Sequence, residues 1–242
     1  MQDKIIKLIL DKIEQLKVRN FVSNLTNHFE HDPQIYFIGG IVRDAVRSVV
    51  EGINYEISDV DIIVCNGELE RAIESLEVDF SKTLFGGLRI PIDDSLDIDI
   101  WEANKTIRIA PNDKLNQLEN YFNDLYLNID HIAFDPKKSA LIDRGCINAI
   151  MEKTIELKFS GGEYKPHPID LSRAVSLIRR TGYEMGDRLK EIILNNRGDV
   201  ISAILKKSER NHYSEEKKQE LISLVEEISP SNRFNRKKGK LL

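Results

Sequence analysis

Apolar residues recur along this chain with two different periods, and the points where the period changes divide it into elements. Over residues 4–29, Ile5, Ile9, Ile13 and Leu16 fall at steps of four, four and three, so this stretch is expected to be one amphipathic helix packed against a core. Ile35-Tyr36-Phe37-Ile38 is a short unbroken apolar run, predicting a buried strand that enters Gly39-Gly40. Residues 41–50 return to helical spacing, with Gly52 placed to end the helix. A second strand is predicted over 59–64 and a helix over 68–76. Leu88-Arg89-Ile90 and Leu96-Asp97-Ile98-Asp99-Ile100-Trp101 alternate around the turn-like Pro91-Ile92-Asp93-Asp94, which predicts a hairpin. Residues 112–127 read as helix, and 128–147 as one or two short strands broken by Asp135-Pro136-Lys137-Lys138.

The composition then changes. Residues 159–168 are rich in Gly and Pro and form the expected domain boundary. Beyond them only helical spacing is found, through Leu171, Ala174, Val175 and Ile178 and again through Leu189, Ile192 and Ile193. A last helix over 214–228 starts at Ser214 and is stopped by Pro230. The predicted organisation is an N-terminal helix over 1–30, an α/β (α+β) head over 31–158 with a small mixed sheet flanked by helices, an all-helical neck over 159–229, and a basic, flexible tail over 230–242.

The 242 residues are 41% hydrophobic and 31% charged, which is a globular rather than a disordered balance. A net charge of −5 excludes a strongly basic nucleic-acid coat but leaves room for a local basic face. Cys65 and Cys146 form neither a zinc pattern nor a disulfide framework, so a reducing cytoplasm is expected. The five histidines have no zinc-ligand spacing. No apolar run reaches membrane-spanning length, and the short run over 5–10 is flanked by charge, unlike a signal peptide; no membrane partner is expected.

Chemistry concentrates in Asp59-Val60-Asp61, downstream of Gly39-Gly40-Ile41-Val42-Arg43-Asp44. A strand has a side-chain period of two, so Asp59 and Asp61 belong to one face. Two adjacent carboxylates repel unless a divalent cation or a shared proton relieves them. Oxygen-only ligands favour magnesium, which bridges to substrate phosphates. Gly39 and Gly40, between a strand and a helix, would let backbone N–H groups approach a polyphosphate. Arg43, on the first turn of that helix, could reach phosphate oxygens with its planar fork, and Asp44 could orient it or cap local N–H groups. A third carboxylate is expected from Asp97 or Asp99, which share a face of the hairpin. Asp93 and Asp94 read as turn residues, Gly86-Gly87 as backbone geometry, and Trp101 as a packing residue at the strand end.

Gly39-Gly40-Ile41-Val42-Arg43-Asp44 followed by Asp59-Val60-Asp61 resembles the head domain of the tRNA CCA-adding enzyme and bacterial poly(A) polymerase family, nucleotidyltransferases of the polymerase-β superfamily. The resemblance extends to Asn123-Asp124-Leu125-Tyr126-Leu127-Asn128, which is similar to the family's Arg-Arg-Asp-Phe-Thr-Ile-Asn-Ala segment. Asp124 and Asn128 match it, and Asn123 stands where the second arginine is expected. This implies a nucleotide-binding role for Asp124 and Asn128. Leu141-Ile142-Asp143 resembles the stretch that closes the head. Arg173-Ala174-Val175-Ser176-Leu177, running to Thr181-Gly182-Tyr183, is similar to the neck's Arg-Ala-x-Arg-Phe…Leu-Gly-Phe helix. Without gaps, Arg173 falls on a nucleotide-binding arginine and Ser176 replaces the next one. Pro166-His167-Pro168-Ile169-Asp170 then lies on the base-selecting Glu-Asp-Pro-Leu-Arg signature, and Pro168 alone agrees. A three-residue shift would restore an Asp170…Arg173 pair but lose the agreements at Pro168, Arg173-Ala174 and Gly182; the ungapped version is preferred.

The resemblance covers about residues 33 to 195 and implies transfer of a nucleoside monophosphate from a nucleoside triphosphate to an RNA 3′ end of tRNA type, with magnesium held by Asp59 and Asp61. One or two short helices are expected beyond the neck, so the body and tail with which full-length members grip tRNA are expected to be lacking. Two rivals stand beside this expectation. One is nucleotidyl transfer to a protein or small-molecule hydroxyl, which a compact acidic chain with altered base-selecting residues would suit. The other is a noncatalytic nucleotide-binding module, against which the intact carboxylate pair argues. The acceptor, the preferred base and the oligomeric state are not legible in the sequence.

Overall fold

The computed structural model describes residues 1–55, 59–83, 86–93, 96–106, 117–158 and 166–229, with the backbone alone for Asp59 and Thr106. The described chain divides into two compact units, the first formed by Met1–Leu125 with Ile129–Met151 and the second by Tyr126–Asn128 with Glu152–Leu242. Parts of the predicted 112–127 helix, of the Gly/Pro-rich boundary and of the hairpin turn at Asp94, and all of the basic tail from Pro230, lie outside the described residues.

In the first unit, the N-terminal apolar stripe forms two helices instead of one, α1 (Gln2–Gln15) and α2 (Val18–Thr26). Lys17 breaks the run by adopting a left-handed conformation with φ 56°. A lysine there gives no sequence signal, because only Gly and Asn visit that region routinely. Ile5, Ile9 and Ile13 are buried as their spacing requires. The chain continues through β1 (Gln34–Ile38), α3 (Gly39–Glu51), β2 (Asp59–Cys65), α4 (Leu69–Ser75), β3 (Ser81–Lys82), β4 (Leu88–Asp93) and β5 (Leu96–Glu102). The short α5 (Ala103–Thr106), α6 (Gln117–Asp124), a 3-10 turn at Asn128–Asp130, β6 (Ile132–Asp135), β7 (Ala140–Asp143) and α7 (Cys146–Met151) follow. Gly52 ends α3 in the left-handed conformation, φ 70°, as a C-terminal glycine should.

Seven described strands make one mixed sheet in the order β3-β4-β5-β2-β1-β6-β7, flanked by helices. The hairpin β4–β5 is antiparallel, with a register shift between Pro91 and Asp93, so Asp93 ends a strand rather than sitting in the turn. β2 pairs with β5 in parallel, matching Asp59 with Asp97 and Asp61 with Asp99. On the other side β2 runs antiparallel to β1, matching Ile38 with Asp61. One face of the sheet carries Phe37, Val60, Ile62, Ile98 and Ile100, all fully buried, with Phe37 and Phe134 in ring contact at 6.4 Å. The opposite face carries a second apolar cluster of Tyr36, Ile38, Ile63 and Cys65, covered by Ala103 of α5 and by Leu118 and Phe122 of α6. That second face changes character along β2, from Ile63 and Cys65 to Asp61. Among the described residues, the apolar cluster gives way to an acidic corner.

The second unit contains the two-residue strands β8 (Thr154–Ile155) and β9 (Glu184–Met185), paired in parallel, and four helices: α8 (Pro168–Thr181), α9 (Asp187–Asn195), α10 (Arg197–Arg210) and α11 (Glu215–Glu226). Ser214 caps α11 as its sequence predicts, its Oγ accepting from Lys217 N–H at 3.2 Å. The sequence pattern did not single out α10. Its buried positions are Val200, Ile204 and Ser208, and a serine hides the third member of the stripe; its hydroxyl donates back to the Ile204 carbonyl at 2.7 Å.

Candidate functional site

The acidic corner is built by register. Odd-numbered positions of β2 and β5 face the same way, so a row runs across three strands from Arg89 on β4 through Asp99 on β5 to Asp61 on β2. The next row contains Pro91, Asp97 and Asp59. Their even-numbered neighbours Ile90, Ile98, Ile100, Val60 and Ile62 are buried on the other face, and this fixes the register, because a one-residue slip would bury the carboxylates.

Asp61 is held by the start of α3. This helix follows β1 directly, its N-cap residue is Ile38, and it makes no side-chain cap bond of its own. The Asp61 carboxylate takes that place, with Oδ2 accepting the Gly40 N–H at 3.4 Å. A carboxylate there is favoured by the orphan N–H groups and by the positive end of the helix dipole. Gly39 is required for this approach twice over. Its φ is 65°, and a Cβ at this position would lie 2.1 Å from Asp61 Oδ2. The glycine pair therefore brings the backbone against a carboxylate, at the point where the sequence led us to expect a phosphate.

Asp99 is also engaged. Arg89 Nε donates to its Oδ1 at 2.7 Å and Arg89 Nη2 to its Oδ2 at 2.6 Å, a two-pronged charge-assisted pair. The Asp99 side chain is 12% exposed, whereas Asp97 is 45% exposed and its Oδ2 lies 3.8 Å from Arg89 Nε. Trp101, at the end of the same strand, packs on Gly87, where a Cβ would fall 2.2 Å from the indole nitrogen. Arg89 was not among the residues expected from sequence. The signal was present, since Arg89 alternates with Leu88 and Ile90 opposite Asp-x-Asp.

Arg43 is placed differently from its expected role on a triphosphate. Its side chain is 4% exposed, its Nη1 donates to Asp130 Oδ1 at 2.9 Å, and its Nε lies 3.7 Å from Asp44 Oδ1. Asp44 bridges to Arg47, whose Nη1 is 3.6 Å away. Arg47 in turn meets Glu51 at 3.3 Å, donates to the Tyr55 hydroxyl at 2.7 Å and stacks over the Tyr55 ring at 4.2 Å. Burial, with the hydrogen bond that Tyr55 donates to Glu51, pushes the phenol up to about 12. This buried network ties the helix behind Gly39-Gly40 to the 3-10 turn carrying Asp130, while Arg43 Nε, also buried, makes no hydrogen bond among the described residues. Asp44 Oδ1 lies between the two guanidiniums of Arg43 and Arg47.

Asp124 is half-buried at the end of α6 in the first unit. Asn128 belongs to the second unit, where its amide holds the backbone: Oδ1 accepts from Glu156 N–H at 3.0 Å and Nδ2 donates to the Thr154 carbonyl at 3.1 Å. Glu156 itself caps α9, accepting from Leu189 N–H at 2.9 Å and Arg188 N–H at 3.2 Å. Both groups of the Asn128 amide thus hold backbone of the second unit. Arg173 is half-buried on α8 of the same unit. Burial, together with the nearby positive charges of Arg173, Lys217 and Arg210, pushes the Lys207 ammonium below its ordinary value. His167 is the N-cap of α8, its Nδ1 accepting from Ile169 N–H at 3.3 Å, and Asp170 is 4% exposed.

The donor chemistry at the acidic corner is carboxylate oxygen throughout, which suits a hard divalent cation. Asp61 presents its carboxylate at the helix start, and position 59 shares its strand by backbone register. Among the described residues, no three His, Cys, Asp or Glu side chains converge as a ready-made metal cluster. No described helix is long and apolar enough to cross a membrane.

No protein-family model and no curated protein matches the chain. Solved structures do. An apo CCA-adding enzyme superposes with a TM-score of 0.64 at 18% identity over 92% of this chain and 53% of that one. A CCA-adding enzyme in complex with CTP gives 0.59 at 20% identity, over 97% of this chain and 54% of its own. A tRNA nucleotidyltransferase complexed with a primer tRNA and an incoming ATP analog gives 0.54 at 20% identity, over 81% and 57%. The chain spans about half the length of the solved structures it matches. The shared fold is the mixed-sheet head flanked by helices together with helices of the second unit.

Proposed function

We propose that this chain is a nucleotidyltransferase that moves a nucleoside monophosphate from a nucleoside triphosphate to an RNA 3′ hydroxyl of tRNA type, in the reducing cytoplasm that two free buried thiols suit. The observation that carries the reading is the Asp61 carboxylate seated on the Gly39-Gly40 helix start, two residues from Asp59 on the same strand. Among the described residues, the apolar cluster on that face includes Ile38 and Ile63 but not Asp61, which is half-buried.

In the reaction, the acceptor oxygen bonds to the α-phosphorus, the bond to the bridging oxygen breaks, and pyrophosphate leaves. Asp59 and Asp61 would hold magnesium, which supplies positive charge to the phosphates and lowers the pKa of a bound hydroxyl. Asp61 is oriented for this by the Gly40 N–H, and Gly39 keeps the space beside it clear. Arg43 acts at one remove, by fixing α3 against Asp130. Arg43 and Asn128 also make bonds inside the fold, and Gly39, Gly40, Asp44, Asp124 and Arg173 stand beside them as candidate nucleotide-binding residues. The likeness to structures solved with CTP, with ATP and with a primer tRNA supports a triphosphate and an RNA as partners. His167 and Asp170 occupy the base-selecting positions of the ungapped alignment, so we expect a base choice other than ordered C-C-A addition.

Incubation with each α-labelled nucleoside triphosphate, magnesium and either total RNA or RNA-free lysate tests the reading. Label at RNA 3′ ends is the expected result. Label confined to protein or to small molecules would replace RNA as the acceptor, and absence of any transfer would leave only the noncatalytic alternative.

A further inference from the structure

A net charge of −5 makes the chain as a whole repel a polyanion, so an RNA partner needs a local surface of opposite sign. The second unit contains one. Its helices α8, α10 and α11 pack against one another, and cations from all three gather at the end of α10. They are Arg173 of α8, Lys207 and Arg210 in the last turn of α10, and Lys217 in the first turn of α11. The turn between α10 and α11 holds Tyr213 beside them: its N–H donates to the Ser208 carbonyl at 3.0 Å, and the Lys217 ammonium lies 3.6 Å from the centre of its ring. Lys207 is half-buried, yet among the described residues its ionic neighbours are Arg173, Lys217, Arg210 and the Tyr213 phenol, with no carboxylate.

The acidic residues of these helices do not balance the group. Glu220 takes Arg179, and Glu215 takes Lys218. Glu209 stands two positions from Lys207 and Glu216 one from Lys217, spacings that put side chains on different faces of a helix. The helix dipole favours Lys207 and Arg210 at a C-terminus, but it disfavours Lys217 at a helix start. Like charges gathered around a half-buried lysine raise its free energy, and an arriving anion relieves them. Resting on the RNA acceptor of the proposed function, we infer that Lys207, Arg210 and Lys217, with Tyr213 beside them, form a docking surface for backbone phosphates of RNA. Three cations from two helices suit neighbouring phosphates along a strand better than one small anion. Such a surface carries affinity and reads no sequence.

Binding of a fluorescein-labelled RNA hairpin with a single-stranded 3′ end is measured by anisotropy over a series of KCl concentrations, without nucleotide or metal. The proteins are the full chain, Lys207→Gln/Lys217→Gln, Arg210→Gln/Lys217→Gln, and a control, Lys4→Gln/Lys7→Gln, which removes the same charge from exposed positions of α1. Each surface variant should bind about tenfold more weakly at low salt. The slope of log affinity against log salt should fall by about 1.4–1.8, as expected for two lost phosphate contacts. The control should stay within about twofold of wild type. Lys207→Gln relieves repulsion and should not lower the unfolding midpoint; if that variant fails to fold, the Arg210 pair decides alone. Wild-type affinity and slope in the surface variants would overturn the inference and leave RNA as the acceptor. An equal loss in the control would overturn it too, by reducing the effect to net charge. Displacement of the RNA by inorganic phosphate at matched ionic strength would mark a small-anion site and count equally against it. A wild-type chain that binds no RNA would remove the RNA acceptor and this surface together.

Discussion

Two charged constellations lie within the first unit, and they differ in balance and in cover. The α3 network sets the guanidiniums of Arg43 and Arg47 against the carboxylates of Asp44, Glu51 and Asp130, with the Arg43 and Arg47 side chains each 4% exposed. Among the described residues, the acidic corner sets the half-exposed Arg89 against Asp97 and Asp99, with positions 59 and 61 in register on the next strand. Deeply buried charges persist only when they are compensated nearly one for one. At the corner Arg89 is shared between Asp99 and Asp97, and under the proposed function a bound cation would relieve the remaining carboxylates. The comparison separates scaffold from chemistry where residue type alone does not, since Arg43 and Asp44 belong to the same sequence motif as Gly39 and Gly40.

The largest expected effect on stability comes from breaking the scaffold. Arg43→Ala removes the buried guanidinium that donates to Asp130 and should cost about 3–5 kcal/mol in urea unfolding. Nucleotide affinity of the protein that remains folded should change little. A stable Arg43→Ala variant with weakened triphosphate binding would return Arg43 to the role its sequence position first indicated. Asn128→Ala removes two hydrogen bonds to the backbone of residues 154–156 in the second unit, and a loss of about 1–3 kcal/mol is expected from the same measurement.

Gly39→Ala sharpens the comparison from the other side. The left-handed φ of 65° costs an alanine about 1–2 kcal/mol, and the added carbon would displace the Asp61 carboxylate. Thermal unfolding should report the small stability loss, and transfer activity should fall by far more than that loss explains. Equal percentage losses in both would mean that Gly39 serves only the backbone. The smallest expected effect is chemical. Burial pushes the Cys65 thiol up to about 12 and raises that of Cys146 as well. A thiol with a raised pKa is protonated below that value, so at pH 8 the thiolate fraction of Cys65 is about one in ten thousand. Neither cysteine should react with an aromatic disulfide reagent in the folded protein, and both should react in urea. Prompt reaction in buffer would show that the apolar cluster under α5 and α6 opens readily.

Much of the first unit was legible because its signals are local. Gly39-Gly40 after an apolar run, the alternation around Pro91, and Gly52 after a helical stripe each state a backbone requirement in one or two residues. The acidic positions were legible for the same reason, since a period of two assigns Asp59 with Asp61 and Asp97 with Asp99 before any pairing is known. What escaped was nonlocal. Parallel pairing of β2 with β5 brings together residues some forty positions apart, and no spacing rule states it. Asp130 meets Arg43 across 87 positions, so the neutralising partner that reassigns Arg43 was invisible in the motif. Arg89 was overlooked because a single basic residue on a strand is an ordinary surface feature until its neighbour is known. The break at Lys17 was unreadable because the apolar stripe continues through it with Val18, Val22 and Leu25.

The central claim is that the acidic corner carries the chemistry while the buried network only supports it. It is tested most directly by the rate of nucleotide transfer to RNA by Asp61→Asn, measured with labelled nucleoside triphosphate on protein whose unfolding midpoint has been determined alongside wild type. The account predicts a rate lower by roughly a thousandfold or more, about 4 kcal/mol of activation free energy, with the midpoint unchanged or slightly raised as like-charge repulsion is relieved. Transfer at the wild-type rate by a folded Asp61→Asn protein would contradict it.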